Sequence, residues 1–218
     1  MSERGTARLI EALAREARPV KPLGSPARRA LATLAVLLAG GGVAVAIAGD
    51  IEALGRRYSG REALMLAEMA AMLGTAVAAI LAAFMLAIPG NSRRWMLAPL
   101  APFVAWIGLG GLGCHQDLVR LGRAAPEGIH SSHCLVFILA ASVAVGTPLL
   151  WRLARTRPID PLPVALLGGL GAAALSALLL QFFHPFAVTF ADLAVHFAAV
   201  LIVAAIAALA RRPLLAPA

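Results

Sequence analysis

The sequence predicts an all-α fold: a bundle of six transmembrane helices, both termini on the cytoplasmic side, with a short amphipathic helix in the N-terminal tail. Three observations predict it. Of 218 residues, 61% are hydrophobic and 14% charged, with a mean hydropathy of +0.85; soluble domains carry roughly 45–50% apolar and about 25% charged residues. The apolar residues fall into six continuous uncharged blocks of membrane-spanning length. Fourteen Lys and Arg lie on the side of the N-terminal tail against five on the other, which places both termini inside. A soluble enzyme, a DNA-binding domain and a disordered regulator are excluded, and continuous runs argue against a membrane barrel.

The tail, residues 1–29, comes first. A helix capped by Ser2 or Thr6 runs to about Ala17. Leu9, Ile10, Leu13, Ala14 and Ala17 form one apolar stripe at helical spacing, with Glu11, Arg15, Glu16 and Arg18 largely off it. Arg18-Pro19 ends this helix, and Val20-Lys21-Pro22-Leu23 continues as extended chain. A helix of roughly 12 residues is marginal alone in water. Two readings stand: a helix lying on lipid, or a motif that folds into a groove on a cytosolic partner.

Six spans follow near 30–48, 63–88, 96–113, 134–151, 164–183 and 193–210, making a transmembrane domain of 30–210 ahead of a cytosolic 211–218. Each meets or approaches the roughly 20 residues that a ~30 Å hydrocarbon core requires. The first begins far from Met1, which argues against a cleaved signal peptide. The 89–94 segment is a tight turn. In the basic 152–163 loop, prolines at 158, 161 and 163 argue against a helix.

Both cysteines fall at the external edge, Cys114 ending the third span and Cys134 beginning the fourth. If those spans pack as antiparallel neighbours, their ends reach the Cα separation of about 4.4–6.8 Å that a disulfide needs. The outer side of a bacterial inner membrane is oxidising enough to keep one. A bridge, fixed or reversible, is the preferred reading, and two unpaired buried thiols the alternative. All five histidines share this edge. His115, His130 and His133 with Cys114 and Cys134 would suffice for a soft-metal site, although the spacing matches no strong zinc signature and solvated histidines explain it as well. Asp192 and His196, at i,i+4, are placed to share a hydrogen bond, with ordinary packing the simpler account. Glu68 is an intramembrane acid within reach of headgroups or Arg61.

Other chemistry is not signalled. No span centre holds the paired acids and bases of a pump, Walker, Rossmann, kinase and H-E-x-x-H patterns are missing, and the histidines do not pair for a bis-His haem. Glycines such as Gly108, Gly110, Gly111, Gly168, Gly169 and Gly171 are packing notches. The net charge of +8 reads as topological bias with attraction to anionic lipid added, not as a nucleic-acid surface.

In this order, several short motifs resemble one family. They are Leu9-Ile10-Glu11-Ala12-Leu13-Ala14 with Arg18-Pro19-Val20-Lys21-Pro22-Leu23, and then Pro89-Gly90-x-x-Arg93-Arg94-Trp95. Leu112-Gly113-Cys114, Cys134-Leu135-x-Phe137-Ile138, His184-Pro185 and Asp192-x-x-x-His196 complete the set. The chain resembles the NrsF-type negative regulators of sigma-F-like extracytoplasmic-function sigma factors over nearly its whole length. The resemblance implies a non-enzymatic six-helix anti-sigma factor of the bacterial inner membrane. Its N-terminal segment would hold the sigma factor through Leu9, Ile10, Leu13 and Val20, and Cys114 and Cys134 would face outward and take part in stress sensing. It implies no cofactor, a soft metal ion entering only as a signal. The partners are a sigma factor and the bilayer, without direct nucleic-acid contact, and self-association is left open. The rival readings are a six-helix small-molecule or metal transporter and a structural membrane subunit whose tail lies on lipid.

Overall fold

The computed structural model describes residues 3–17, 24–121, 131–183, 189–211 and 215. Among them it is built of helices alone: α1 (Glu3–Glu16), α2 (Pro26–Ala48), α3 (Ile51–Arg57), α4 (Glu62–Leu86), α5 (Leu100–Leu121), α6 (Ser131–Ala154), α7 (Pro161–Leu180) and α8 (Phe190–Leu209). A 3-10 turn, Arg93–Leu97, leads into α5. Six of these elements, all except α1 and α3, are long and apolar enough to cross a membrane.

The bundle is organised around α7. Its span is 67% buried, against 17% for α2, and it packs on α4, α6 and α8. Small residues permit this. A Cβ at Gly169 would sit 2.9 Å from Ala207 Cβ and 3.0 Å from Ala204 Cα, and one at Gly171 would sit 2.6 Å from Ile80 Cγ1. α4 and α8 therefore approach α7 more closely than side chains on those faces would allow, the usual way membrane helices gain dispersion contact. Ile80, Phe84, Leu149, Leu153 and Val164 fill the core beside them.

The connections follow from capping chemistry. Ser25 accepts from Arg28 N at 3.4 Å with Pro26 opening α2, and Thr189 with Asp192 forms a reciprocal capping box on α8. Gly90 takes φ +90 in the turn after α4, a backbone conformation that glycine adopts without steric cost.

Four details depart from the sequence expectations. The first loop contains α3, capped by Asp50, which accepts from Ala53 N at 2.7 Å, with Glu52 in its first turn and Arg56 and Arg57 in its last. α5 runs on to Leu121, because 114–121 is polar but has no Gly or Pro to stop a helix; Cys114 thus lies inside a helix. Pro161 and Pro163 occupy the first turn of α7, where the missing N–H groups have no intrahelical partner to lose. Lastly, α5 packs on α4 and α8 while α6 packs on α7 and α8, so the two flank α8 instead of pairing along their length.

α1 stands apart from this packing. Every described side chain from Gly5 to Ala17 is exposed, with Leu9 at 51%, Ile10 at 62% and Leu13 at 59%. Val20 lies outside the described residues.

Candidate functional site

The end of the bundle that carries the cysteines holds a buried polar network centred on α3. Tyr58, just after α3, is 6% exposed, and Glu68, in α4, is 7% exposed. The Tyr58 hydroxyl donates to Glu68 Oε2 at 2.8 Å. Burial first, and the facing Glu68 carboxylate second, push the phenol above its ordinary range, so it stays protonated and donating. The guanidinium groups of Arg57 and Arg61 lie 4.8 and 5.7 Å from the centroid of the same ring, a cation–π arrangement strengthened by desolvation.

Those two arginines tie three helices together. Arg61 pairs with Asp117 of α5 at 2.7 Å, both side chains largely shielded, and donates to the Arg57 carbonyl at 2.9 Å. Arg57 donates to the Gln181 side chain and, at 3.4 Å, to its carbonyl at the end of α7. Asp50 N donates to the Phe182 carbonyl at 2.8 Å. Glu68 therefore bonds to Tyr58 and Arg61 to Asp117, while the Arg61 charge stays within electrostatic reach of Glu68; buried among the helices, the acid does not extend to the headgroups that the sequence also offered it. A Cβ on Gly110 of α5 would come within 3.6 Å of Glu68 Oε1. The acid thus rests against α5 one turn before Cys114.

Cys114 and Cys134 are both buried, 3% and 2% exposed, and both are thiols. Cys134 packs with Ile138, Leu180 and Ala199. Asp192 lies within electrostatic reach of both sulfurs. His115 and His133 are exposed although their cysteine neighbours are buried, and His130 and His184 lie outside the described residues. Among the described residues, no three His, Cys, Asp or Glu side chains are grouped to hold a metal ion. Asp192 is turned to Thr189, whose N–H and hydroxyl donate to it at 3.0 and 2.8 Å, and His196 is buried.

Sequence reasoning missed Tyr58, Arg57, Asp117 and Gln181. The available signal was polar side chains beside or inside otherwise apolar spans, which survive there only when paired. Tyr58→Phe is expected to strand the Glu68 carboxyl and cost about 1–3 kcal/mol. A lower thermal unfolding midpoint in detergent, with Glu68→Gln milder because the amide oxygen still accepts, is the measurement; an unchanged midpoint in Tyr58→Phe would remove the network from the stability account.

Comparison with known families matches residues 13–216 to NrsF, described as negative regulator of sigma F. The match takes in both cysteines, all six spans and the tail from Leu13 onward, and begins after Leu9 and Ile10. No curated protein and no solved structure matches the chain. A match over nearly the whole length makes this six-span chain a member of the NrsF family, the negative regulators of sigma F.

Proposed function

We propose that the protein is an inner-membrane anti-sigma factor, both termini cytoplasmic, that holds an extracytoplasmic-function sigma factor through residues 1–23 and releases it under periplasmic stress. One observation carries the reading: α1 displays Leu9, Ile10 and Leu13 to solvent on a helix with no packing role in the bundle. An apolar helical face of this size gains its missing contact in a protein groove, and Val20 extends the contact along the following chain. The stripe has no aromatic anchor and its alanines bury little, which disfavours attachment to lipid alone. The role is binding, without catalysis.

Sensing is assigned to Cys114 and Cys134. Thiol–disulfide exchange with an oxidising disulfide of the periplasm would join the two sulfurs, break the partner's S–S bond, and pass two electrons and the two thiol protons to the partner, which leaves as a dithiol. Both thiols are buried, Cys114 two turns before the end of α5 and Cys134 in the first turn of α6, so a bridge between them would change how these two helices sit. A signal of this kind acts through its different affinity for the two arrangements. Alkylation mass shifts on isolated membranes are expected to show both thiols protected after oxidant and restored by reductant. Two alkylatable thiols throughout would leave the pair without a redox role.

The anti-sigma assignment is tested by deleting residues 2–23 from the full chain. The expected result is loss of sigma-factor co-purification and full expression of its regulon, with the membrane domain still present. Full repression by the deletion variant would overturn the assignment.

A further inference from the structure

α2 is the span that follows the tail helix in the chain, so its seating in the bundle governs how the tail is presented. Its buried residues, Ala30, Thr33 and Leu34, all lie in its first three turns. Further along, α2 stands off α6. A cleft of about 440 Å³ separates the two there, lined by Leu37, Gly41 and Val45 of α2, Ala144 and Val145 of α6, and Leu179 of α7. The side chains that seat α2 are therefore at the end of the bundle opposite the cysteines.

At that end a closed ring of hydrogen bonds joins α2 to α6. Arg29 donates to the Arg152 carbonyl at 3.2 Å, Arg152 donates to Thr33 Oγ1 at 3.4 Å, and the Thr33 hydroxyl donates to the Arg29 carbonyl at 2.7 Å. Arg152 is in the last turn of α6, where carbonyls lack helical partners and carry the negative end of the macrodipole, so a guanidinium suits them. Other features oppose the ring. Both arginines are half-buried, and their like charges lie within electrostatic reach of each other. Arg15, Arg56, Arg61 and Arg93 each have a carboxylate within ion-pair distance; among the described residues, Arg29 and Arg152 have none. Arg29 Nη1 is buried with no hydrogen-bond partner. Repulsion and an unused donor work against what the hydrogen bonds favour, so a small displacement of either helix is enough to open the ring.

α6 supplies the displacement. It carries Cys134 in its first turn and Arg152 in its last, about 27 Å apart at ~1.5 Å per residue. Between them it bends most readily at Pro148, one turn before Arg152, which offers no N–H to the Ala144 carbonyl. We infer that the Arg29–Arg152–Thr33 ring is the relay between sensing and output, an inference that rests on the roles proposed above for the tail and the cysteines. Closed, as it is with both sulfurs present as thiols, the ring seats α2 so that the tail holds the sigma factor. A shift of α6 that starts at Cys134 draws Arg152 away, opens the ring and frees α2 to carry the tail out of its holding position. The ring is thus an element with two arrangements whose balance both ends of the molecule bias.

Full-length variants in cells grown without added oxidant test this, read by sigma-factor co-purification and a reporter of its regulon. Arg29→Gln with Arg152→Gln is expected to raise the reporter about tenfold at unchanged protein abundance, the scale of one hydrogen bond to a charged group. Thr33→Val, of the same shape but without the hydroxyl, should act in the same direction. Thr33→Ser, which keeps the hydroxyl, should repress like the unaltered chain, and this pair decides the matter even if the arginine variant accumulates poorly. Arg93→Gln, at the same end but paired with Asp160 on the surface, should change nothing. Full repression by Thr33→Val at unchanged abundance, equal to that by Thr33→Ser, would overturn the inference. No oxidant is involved, so the result stands apart from whether the cysteines bridge. Failure of the anti-sigma assignment shows separately, as full repression after deletion of residues 2–23.

Discussion

Replacing Gly171 with leucine is expected to prevent assembly of the bundle. Even one carbon at this position would lie 2.6 Å from Ile80 Cγ1 and 3.5 Å from the Ala76 carbonyl. Ile80 is fully buried. Overpacking in a well-filled core costs about 1–3 kcal/mol when side chains can adjust and more when helices must separate. Here the adjustment would part α7 from α4, the most extensive helix contact in the molecule. Gel filtration of a fluorescent fusion in detergent is expected to show aggregated or degraded Gly171→Leu. Gly108→Leu, where a Cβ meets nothing within 4 Å, should run as a single peak. A monodisperse Gly171→Leu would mean that the α4–α7 approach is not the close one described.

The second large effect concerns α1. Leu9→Ala with Leu13→Ala is expected to release the sigma factor and raise its regulon, with the membrane domain unchanged in abundance. Both leucines are more than half exposed in the free chain, so truncating them removes no packing within the bundle. Their loss is felt at the partner, where a buried leucine often contributes more than ~1 kcal/mol, about fivefold or more in affinity. Glu11→Ala should do far less. Its pairing with Arg15 at 2.6 Å joins side chains that are 66% and 77% exposed, and such exposed pairs contribute about 0.3–0.5 kcal/mol on a helix. Reporter expression that responds to Glu11→Ala as strongly as to the double leucine variant would place the contact on the charged face instead.

The six spans and the tail helix were legible because each rests on a long-range pattern, either an uninterrupted apolar run or a stripe with helical period. Boundaries were less legible where apolar character and helical character part company. Residues 115–120 of α5 are too polar to extend an apolar run, yet nothing in them breaks a helix, and Arg61 neutralises Asp117. Pro161 and Pro163 read as breakers, although in a first turn they are starters. α3 carried the signals of a helix, with Asp50 as cap and Arg56 and Arg57 at its end, but seven residues between spans look like any loop. Its order comes from partners distant in sequence, such as Gln181. The same distance hid the polar network. Tyr58 and Glu68 are ten residues apart and on different elements, and only the folded bundle shows that one donates to the other.

The central place of α7 has a consequence for biosynthesis. About 75 residues separate the end of α4 at Leu86 from the start of α7 at Pro161, roughly 4 to 15 s of translation at ~5–20 residues per second. Throughout that interval α4 is in the bilayer without the neighbour that covers it, its notch-facing Ile80 turned toward lipid or a holding factor. Glu68 is provided for sooner. Tyr58 precedes it in the chain, so its hydroxyl emerges from the ribosome first and is already on hand when the acid enters the membrane. Asp117 and Gln181 arrive later, to engage arginines waiting outside the span. Nascent α4 therefore brings with it the donor for its one buried charge-bearing side chain, and only its apolar notch must wait for the fifth span.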